Sequence, residues 1–385
     1  MEDFQGNLHS KLPRANTTIF TVMSALSAEN QAINLSQGFP DFGIDPELGE
    51  ILRRKVAEGR NQYAPMQGLL ELREALSRKI MITSGMEVDP VDEINITAGA
   101  TQGIYAAITA LISEGDEVVV FAPAYDCYTP AIELNGGKAI QIELRYPDYQ
   151  IPWTEVKKVV NHHTRMIIIN SPHNPTGMVM SADDLKQLEN ITKGSDIIVL
   201  SDEVYEHIIF DGQEHQSVLK YPELASRSVA VFSFGKTFHC TGWKMGYVVA
   251  PKRLMKEFRK VHQYEVFACN HPMQAALAEY LAYEQRYLAL PHFYQQKRDF
   301  FQARMEESRF EAVPSHGTYF QLYRYTKISR KHDLEFAKWL TTEHGVSAIP
   351  ISVFYNNNVQ EYVVRFCFAK QEATLELAAQ ALCRI

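Results

Sequence analysis

The sequence predicts an α/β protein, a mostly parallel sheet covered by helices on both faces, followed by a smaller α+β unit. Three observations carry this: short apolar runs that end in polar or glycine-rich residues, helical patterns between those runs, and a change of texture after Tyr280. The runs lie at 93–97, 117–121, 166–170, 197–201, 229–232 and 246–250. Each is apolar at nearly every position, as a strand buried on both faces requires; a half-solvated strand would alternate. Helical patterns at 101–113 and 181–192 each precede a strand, and that alternation argues for parallel pairing.

The helix after Gly99 is rich in alanine and isoleucine and contains no proline, and its start offers the backbone N–H groups of Ala100 and Thr101 at a sheet edge, a seat for a phosphate. Ser181 with Asp184 reads as a capping box with aspartate in place of glutamate, a helix start with no chemical role. Beyond Tyr280 come a polar helix at 291–307 and short strands at 318–323 and 363–368. The first forty residues show no clear strand and are expected to form an arm against that second unit. The expected division is therefore an arm and part of the small domain over 1–45, a large domain over 46–280 and a small domain over 281–385.

A chain of 385 residues suits two domains with a cleft between them, and 46% hydrophobic with 22% charged residues is a globular composition. A net charge of -8, without a basic run, gives no electrostatic reason to approach nucleic acid or an anionic bilayer. The start, Met1, Glu2, Asp3, is acidic where a secretory leader is basic, and no segment offers about 18 uninterrupted apolar residues, so a cytoplasmic location is expected. Cys127, Cys240, Cys269, Cys367 and Cys383 lack C-x-x-C spacing and fit reduced thiols. Glu203 and His207 could share a helix face but do not complete a zinc site, and no metal is expected.

Four segments fall where the strands end: Asn-Ser-Pro-His-Asn-Pro-Thr-Gly at 170–177, Ser-Asp-Glu-Val-Tyr at 201–205, Ser-Phe-Gly-Lys-Thr at 233–237 and Val-Arg-Phe-Cys-Phe at 364–368. Open α/β sheets collect ligands at the carboxyl ends of their strands. Taken singly, each has an ordinary explanation. Gly-Lys-Thr alone is more often a surface lysine, and the P-loop pattern fails for want of an earlier glycine. Asp202 can cap a helix, Asn174 can make an Asx-turn before Pro175, and Tyr125 can be a core tyrosine. Arg365, inside an apolar strand, needs a bidentate carboxylate, from a substrate or from an internal glutamate.

Together, and with the run from Ser233 through Lys236, Lys244 and Tyr247, these segments resemble the fold-type I pyridoxal-phosphate (PLP) aminotransferases of class I/II along the whole chain. The resemblance implies the fold-type I architecture: a large domain with a mostly parallel seven-stranded sheet, plus a smaller α+β domain. It implies pyridoxal 5'-phosphate anchored on Lys236, Asp202 paired with the protonated ring nitrogen, and Tyr205 and Asn174 on the phenolic oxygen. Tyr125 would stack on the ring, Ser233, Lys244 and the N–H groups of Ala100 and Thr101 would hold the phosphate, and Tyr63 would reach it from a neighbouring subunit. Arg365, Asn174 and Gly38 would take the substrate.

The segment Asn-Leu-Ser-Gln-Gly-Phe-Pro-Asp-Phe at 34–42 is similar to bacterial methionine aminotransferases and to the kynurenine aminotransferase and glutamine transaminase K branch. In that branch Phe20, Tyr63, Phe267 and Phe354 correspond to the lining of an apolar side-chain pocket; Ala268 departs from a histidine found in relatives and leaves the substrate ranking open. The implied activity is ping-pong transfer of the amino group of methionine, aromatic amino acids, kynurenine or glutamine to a 2-oxo acid, by a homodimer with shared active sites and no nucleic-acid or membrane partner. Cysteine-conjugate β-lysis is the first alternative and a PLP-fold regulatory module the second.

Overall fold

The computed structural model describes every residue except 2, 14, 16 and 358; of the sequence reading, only Glu2 falls outside the described residues. Its centre is a seven-stranded sheet in the order Ile94–Thr97, Gly246–Val249, Ser228–Ser233, Ile198–Asp202, Thr164–Asn170, Glu117–Ala122, Lys138–Glu143. Gly246–Val249 runs antiparallel to both neighbours and the other neighbouring pairs are parallel, so the sheet is mostly parallel as expected. All five residues of Ile198–Asp202 are buried, which is why that run reads as continuously apolar or small.

Two apolar cores lie on the two faces of this sheet. One gathers Val118, Val120, Ile168 and Leu200 under the helix Ala100–Leu111; the other takes the alternate side chains Val119, Ile167 and Val199. Ala100–Leu111 packs against Lys252–Glu265, and Pro46–Ala57 and Leu70–Ser84 pack against His271–Tyr280. The expected Ser181 capping box is formed: Ser181 Oγ accepts from the N–H of Asp184 while Asp184 Oδ2 accepts from the N–H of Ser181.

The C-terminal region builds an antiparallel sheet ordered Ile349–Pro350, Val363–Cys367, Phe320–Arg324, Glu311–Ala312, flanked by the helices Leu290–Arg304, Asp333–His344 and Glu372–Leu382. Two local expectations need correction. The first forty residues do contain a strand, Ile33–Asn34, which pairs in parallel with Val346–Ser347; its two residues are too few for a periodic signal. No helix spans Glu203 and His207, because the chain turns there to close the 3.0 Å bond from the N–H of Glu206 to the carbonyl of Glu203.

Candidate active site

The carboxyl ends of three adjacent parallel strands place Asn170, Asp202 and Ser233 along one rim of the large sheet, with Asn170 and Asp202 as register partners. Above them lies a cleft of about 280 Å³, closed on the other side by Phe20 and Gly38 from the N-terminal segment and by Phe320 and Arg365 from the C-terminal sheet. A cleft between a strand rim and a second unit is where an open α/β fold seats a ligand.

Asp202 is the last residue of its strand and is 4% exposed. Burial pushes its carboxyl up to about 6, and the hydroxyl of Tyr128, donating to Oδ2 at 2.6 Å, and the N–H of Val204, donating to Oδ1 at 3.3 Å, pull it back. The acid therefore retains a charge near neutrality with no cationic side chain bonded to it, a seat for a cation.

Lys236 stands on the single helical turn Phe234–Thr237 that follows the Ser228–Ser233 strand. Burial draws its amine down to about 8; Arg365 and Lys244 press in the same direction, while Cys367 and Asp202 oppose them. Near pH 8 a large fraction is thus the neutral, nucleophilic amine. Nζ donates to the hydroxyl of Tyr319 at 2.8 Å and to the carbonyl of Gly38 at 3.1 Å.

The helix Ala100–Leu111 begins at Gly99, where φ is 83° and no side chain caps the first turn, so its leading N–H groups point into the cleft. A Cβ on Gly99 would lie 3.4 Å from Lys244 Nζ, which fixes that ammonium beside the helix start. Gly246 lets the strand come this close, since a Cβ there would stand 3.0 Å from the N of Ala100. Helix dipole, ammonium and the Ser233 side chain converge on one corner of the cleft, as a dianion requires.

Arg365 is 1% exposed in the Val363–Cys367 strand. Nη1 donates to Asn174 Oδ1 at 2.8 Å and Nη2 to the carbonyl of Ser36 at 3.1 Å, while Nε has no partner and the guanidinium lies 3.8 Å above the Phe320 ring. Among the described residues no carboxylate lies within 4.0 Å of it, so the internal glutamate weighed from sequence does not exist there. Asn174 spends its carbonyl oxygen on Arg365 rather than on an Asx-turn, and Asn170 Oδ1 fixes its backbone by accepting from the Asn174 N–H at 2.8 Å. Tyr205 is 2% exposed, and burial raises its phenol so that it stays a hydroxyl donor.

Of the remaining residues singled out from sequence, Tyr125, Thr101, Gly38 and Phe20 line this cleft. Phe354 does not, but its ring packs 5.9 Å from Phe20 and it lines the adjoining mouth with Tyr125. Tyr63 and Phe267 do not reach the cleft of their own chain; they pack edge to face at 5.1 Å and are 81% and 56% exposed. Sequence reasoning missed Tyr128, Asn170, Tyr319 and Phe320, whose parts arise only from three-dimensional contact. A buried cation-seeking acid, an amine depressed to about 8, a phosphate corner and a guanidinium with a free Nε and no carboxylate partner among the described residues fit pyridoxal 5'-phosphate with an amino acid beside it.

The family described as aminotransferase class I and II matches residues 30–382. The chain is 51% identical to the methionine aminotransferase of Escherichia coli K12, over 97% of each chain, and 32% identical to mouse kynurenine–oxoglutarate transaminase 1, over 93% of each. Among solved structures, YbdL from Escherichia coli, described as having a methionine aminotransferase function, superposes with a TM-score of 0.97 at 50% identity, covering 98% of this chain and 100% of that one.

Proposed function

This chain belongs to the class I and II aminotransferases, and we propose from that membership that it moves the amino group of methionine, of aromatic amino acids and of other neutral donors such as kynurenine or glutamine to a 2-oxo acid. The observation that carries the reading is a single cleft holding an amine near neutrality, Lys236, between a buried carboxylate, Asp202, and a buried guanidinium without a carboxylate partner, Arg365.

Pyridoxal 5'-phosphate, when bound, supplies an aldehyde that joins to amines and a ring that draws electrons from the substrate α-carbon. Lys236 would anchor it, and its amine, near neutrality, would serve as the base and acid that move a proton at the substrate α-carbon. Asp202 would favour a protonated ring nitrogen, and Tyr205 and Asn174 would be the donors to the ring's phenolic oxygen, the Oδ1 of Asn174 being held by Arg365. Ser233, Lys244 and the N–H groups of Ala100 and Thr101 would hold the phosphate, and Tyr125 would cover the ring. Arg365 and Gly38 orient the substrate carboxylate.

Phe20 lines the cleft and Phe354 packs against it at the adjoining mouth, an apolar edge that would exclude water from the substrate. Among the described residues the cations lining the cleft are Lys236, Lys244 and Arg365, all assigned above, so none of these remains for a distal carboxylate; this favours neutral side chains over acidic ones. Tyr63 and Phe267 complete the site of a second copy, in a cytoplasmic homodimer whose chains divide near residues 45 and 280. Among the described residues no helix is long and apolar enough to cross a membrane.

Lys236→Ala tests the assignment. It abolishes turnover and the visible band that wild-type apoprotein gains with pyridoxal 5'-phosphate; a variant that still transaminates overturns the role. A panel of amino acids against one 2-oxo acid tests the substrate class, and a preference for aspartate or glutamate over methionine overturns it.

A further inference from the structure

Three distant parts of the chain meet at the amine of Lys236. Its own short helix follows the large sheet, Gly38 comes from the N-terminal segment, and Tyr319 directly precedes the C-terminal strand Phe320–Arg324. Nζ donates to Tyr319 Oη at 2.8 Å and to the Gly38 carbonyl at 3.1 Å, and the Tyr319 hydroxyl itself donates to that same carbonyl. Ammonium, phenol and carbonyl thus close a triangle. Tyr319 is fully buried, and burial raises its phenol so that it stays a neutral hydroxyl. Nζ also lies 5.4 Å from the centre of the Tyr319 ring and 5.6 Å from that of Tyr205, distances at which a cation is attracted to an aromatic face.

We propose that Tyr319 is a positioning residue that receives the Lys236 amine on its release and holds it against the Gly38 carbonyl, within reach of the substrate α-carbon. The inference rests on the aminotransferase reading for its place in the cycle, but its geometry is that of the protein alone.

The Gly38 carbonyl is held in register by packing. A Cβ at Gly38 would stand 2.9 Å from Cζ of Phe320, so only glycine lets the segment lie this close. Phe320 in turn lies beneath the guanidinium of Arg365, and the carbonyl of Ser36, two residues before Gly38, accepts from Arg365 Nη2. The groups that would take the substrate carboxylate are therefore mechanically continuous with those that hold the released amine.

Both partners of Nζ act as acceptors, and acceptors favour the charged amine. Removing the Tyr319 hydroxyl should let burial depress the amine further, so that it becomes neutral at lower pH than in the wild type. The test is carbamylation of apoprotein by cyanate, in which the neutral amine adds to isocyanic acid, with Lys236 followed by peptide mass spectrometry across a pH series. In Tyr319→Phe the midpoint moves down in pH. In the holoenzyme the same variant loses about tenfold or more in kcat for methionine with KM within about twofold, the pattern of a contact that matters after binding.

An unchanged midpoint together with unchanged kcat overturns the proposal, as does a loss confined to KM. Tyr319→Leu, which also lacks the hydroxyl, gives the same direction of shift if the phenylalanine variant is unstable. Failure of the cofactor reading is seen separately, as wild-type apoprotein that gains no visible band with pyridoxal 5'-phosphate.

Discussion

A carboxyl group buried at a strand end keeps its charge only through its partners, and Asp202 has few: the Tyr128 hydroxyl, the N–H of Val204 and the more distant ammonium of Lys236. Burial raises the group to about 6 against a reference of 3.8, so in apoprotein it gains a proton, and loses its charge, as pH falls through about 6. A cation seated there is then no longer held. The affinity of apoprotein for pyridoxal 5'-phosphate should therefore weaken as pH falls from about 7 to about 5. Asp202→Asn should bind weakly throughout and lack this part of the dependence, which separates it from titration of the phosphate and of Lys236. Tyr128→Phe should move the same limb to higher pH, since the hydroxyl stabilises the charged form. Absorbance titrations at a series of pH values measure all three; identical curves for wild type and Tyr128→Phe would remove Tyr128 from the site. Arg365 poses the converse case, a buried cation whose Nε awaits an acceptor. Charge-assisted hydrogen bonds are worth about 1.5–3 kcal/mol, so Arg365→Lys should lower kcat/KM for methionine by about one to two powers of ten, and a change smaller than about threefold would place the substrate carboxylate elsewhere.

What makes a strand legible also makes it central. The parallel strands under helices on both faces read as unbroken apolar runs, whereas Lys138–Glu143 shows no such run because it is the sheet edge and mixes polar with apolar residues, Lys-Ala-Ile-Gln-Ile-Glu, with only one residue buried. The site divides in the same way. Asn174, Asp202 and Lys236 stand in short, composed segments at strand ends and Arg365 is a charge inside an apolar strand, so sequence draws the eye to them. Tyr128 sits at the start of the helix Tyr128–Leu134 and Tyr319 just before a strand, positions where a buried tyrosine is ordinary, and nothing local announces which carboxylate or amine its hydroxyl meets. The same blindness covers Lys79, a lysine in the helix Leu70–Ser84 that is 3% exposed. It is paired at 2.7 Å with Glu206 and donates at 3.1 Å to the hydroxyl of Tyr247 on the Gly246–Val249 strand. The pair pins that helix to the sheet directly behind the rim. Removing one partner strands a buried charge, which costs about 3–5 kcal/mol. Lys79→Met should fall in that range by urea unfolding of the apoprotein, and the double variant Lys79→Met with Glu206→Leu should recover most of the loss. A single variant within about 0.5 kcal/mol of wild type would mean that water reaches the pair and screens it.

At the scale of the whole molecule, the cleft of one chain does not contain every residue the resemblance assigns to it. Tyr63 lies outside, with its ring packed edge to face on Phe267 and 81% of its surface open, which is a poor place for an aromatic side chain unless another surface covers it. If a second copy covers it, Tyr63 serves the partner's phosphate corner, and mutations in different chains should complement in a way that no isolated chain permits. Consider a mixture of Lys236→Ala chains with Tyr63→Ala chains. The homodimers of the first lack the anchoring amine in both sites, and those of the second lack the tyrosine in both. In a mixed dimer, the site built on the intact Lys236 draws its tyrosine from the Lys236→Ala chain, and that tyrosine is intact. Random reassociation makes about half of the dimers mixed, with one sound site in two, so activity should return to about a quarter of wild type. Were Tyr63 to act within its own chain, the mixed dimer would hold no sound site and mixing would restore nothing. A third chain carrying both substitutions, mixed with wild type, supplies the control: its mixed dimers should hold no sound site, because the only intact lysine faces a missing tyrosine. Wild-type homodimers make up about a quarter of that control, so a shared site gives about a quarter of wild-type activity in both mixtures, whereas a site complete within one chain gives none in the first and about half in the control.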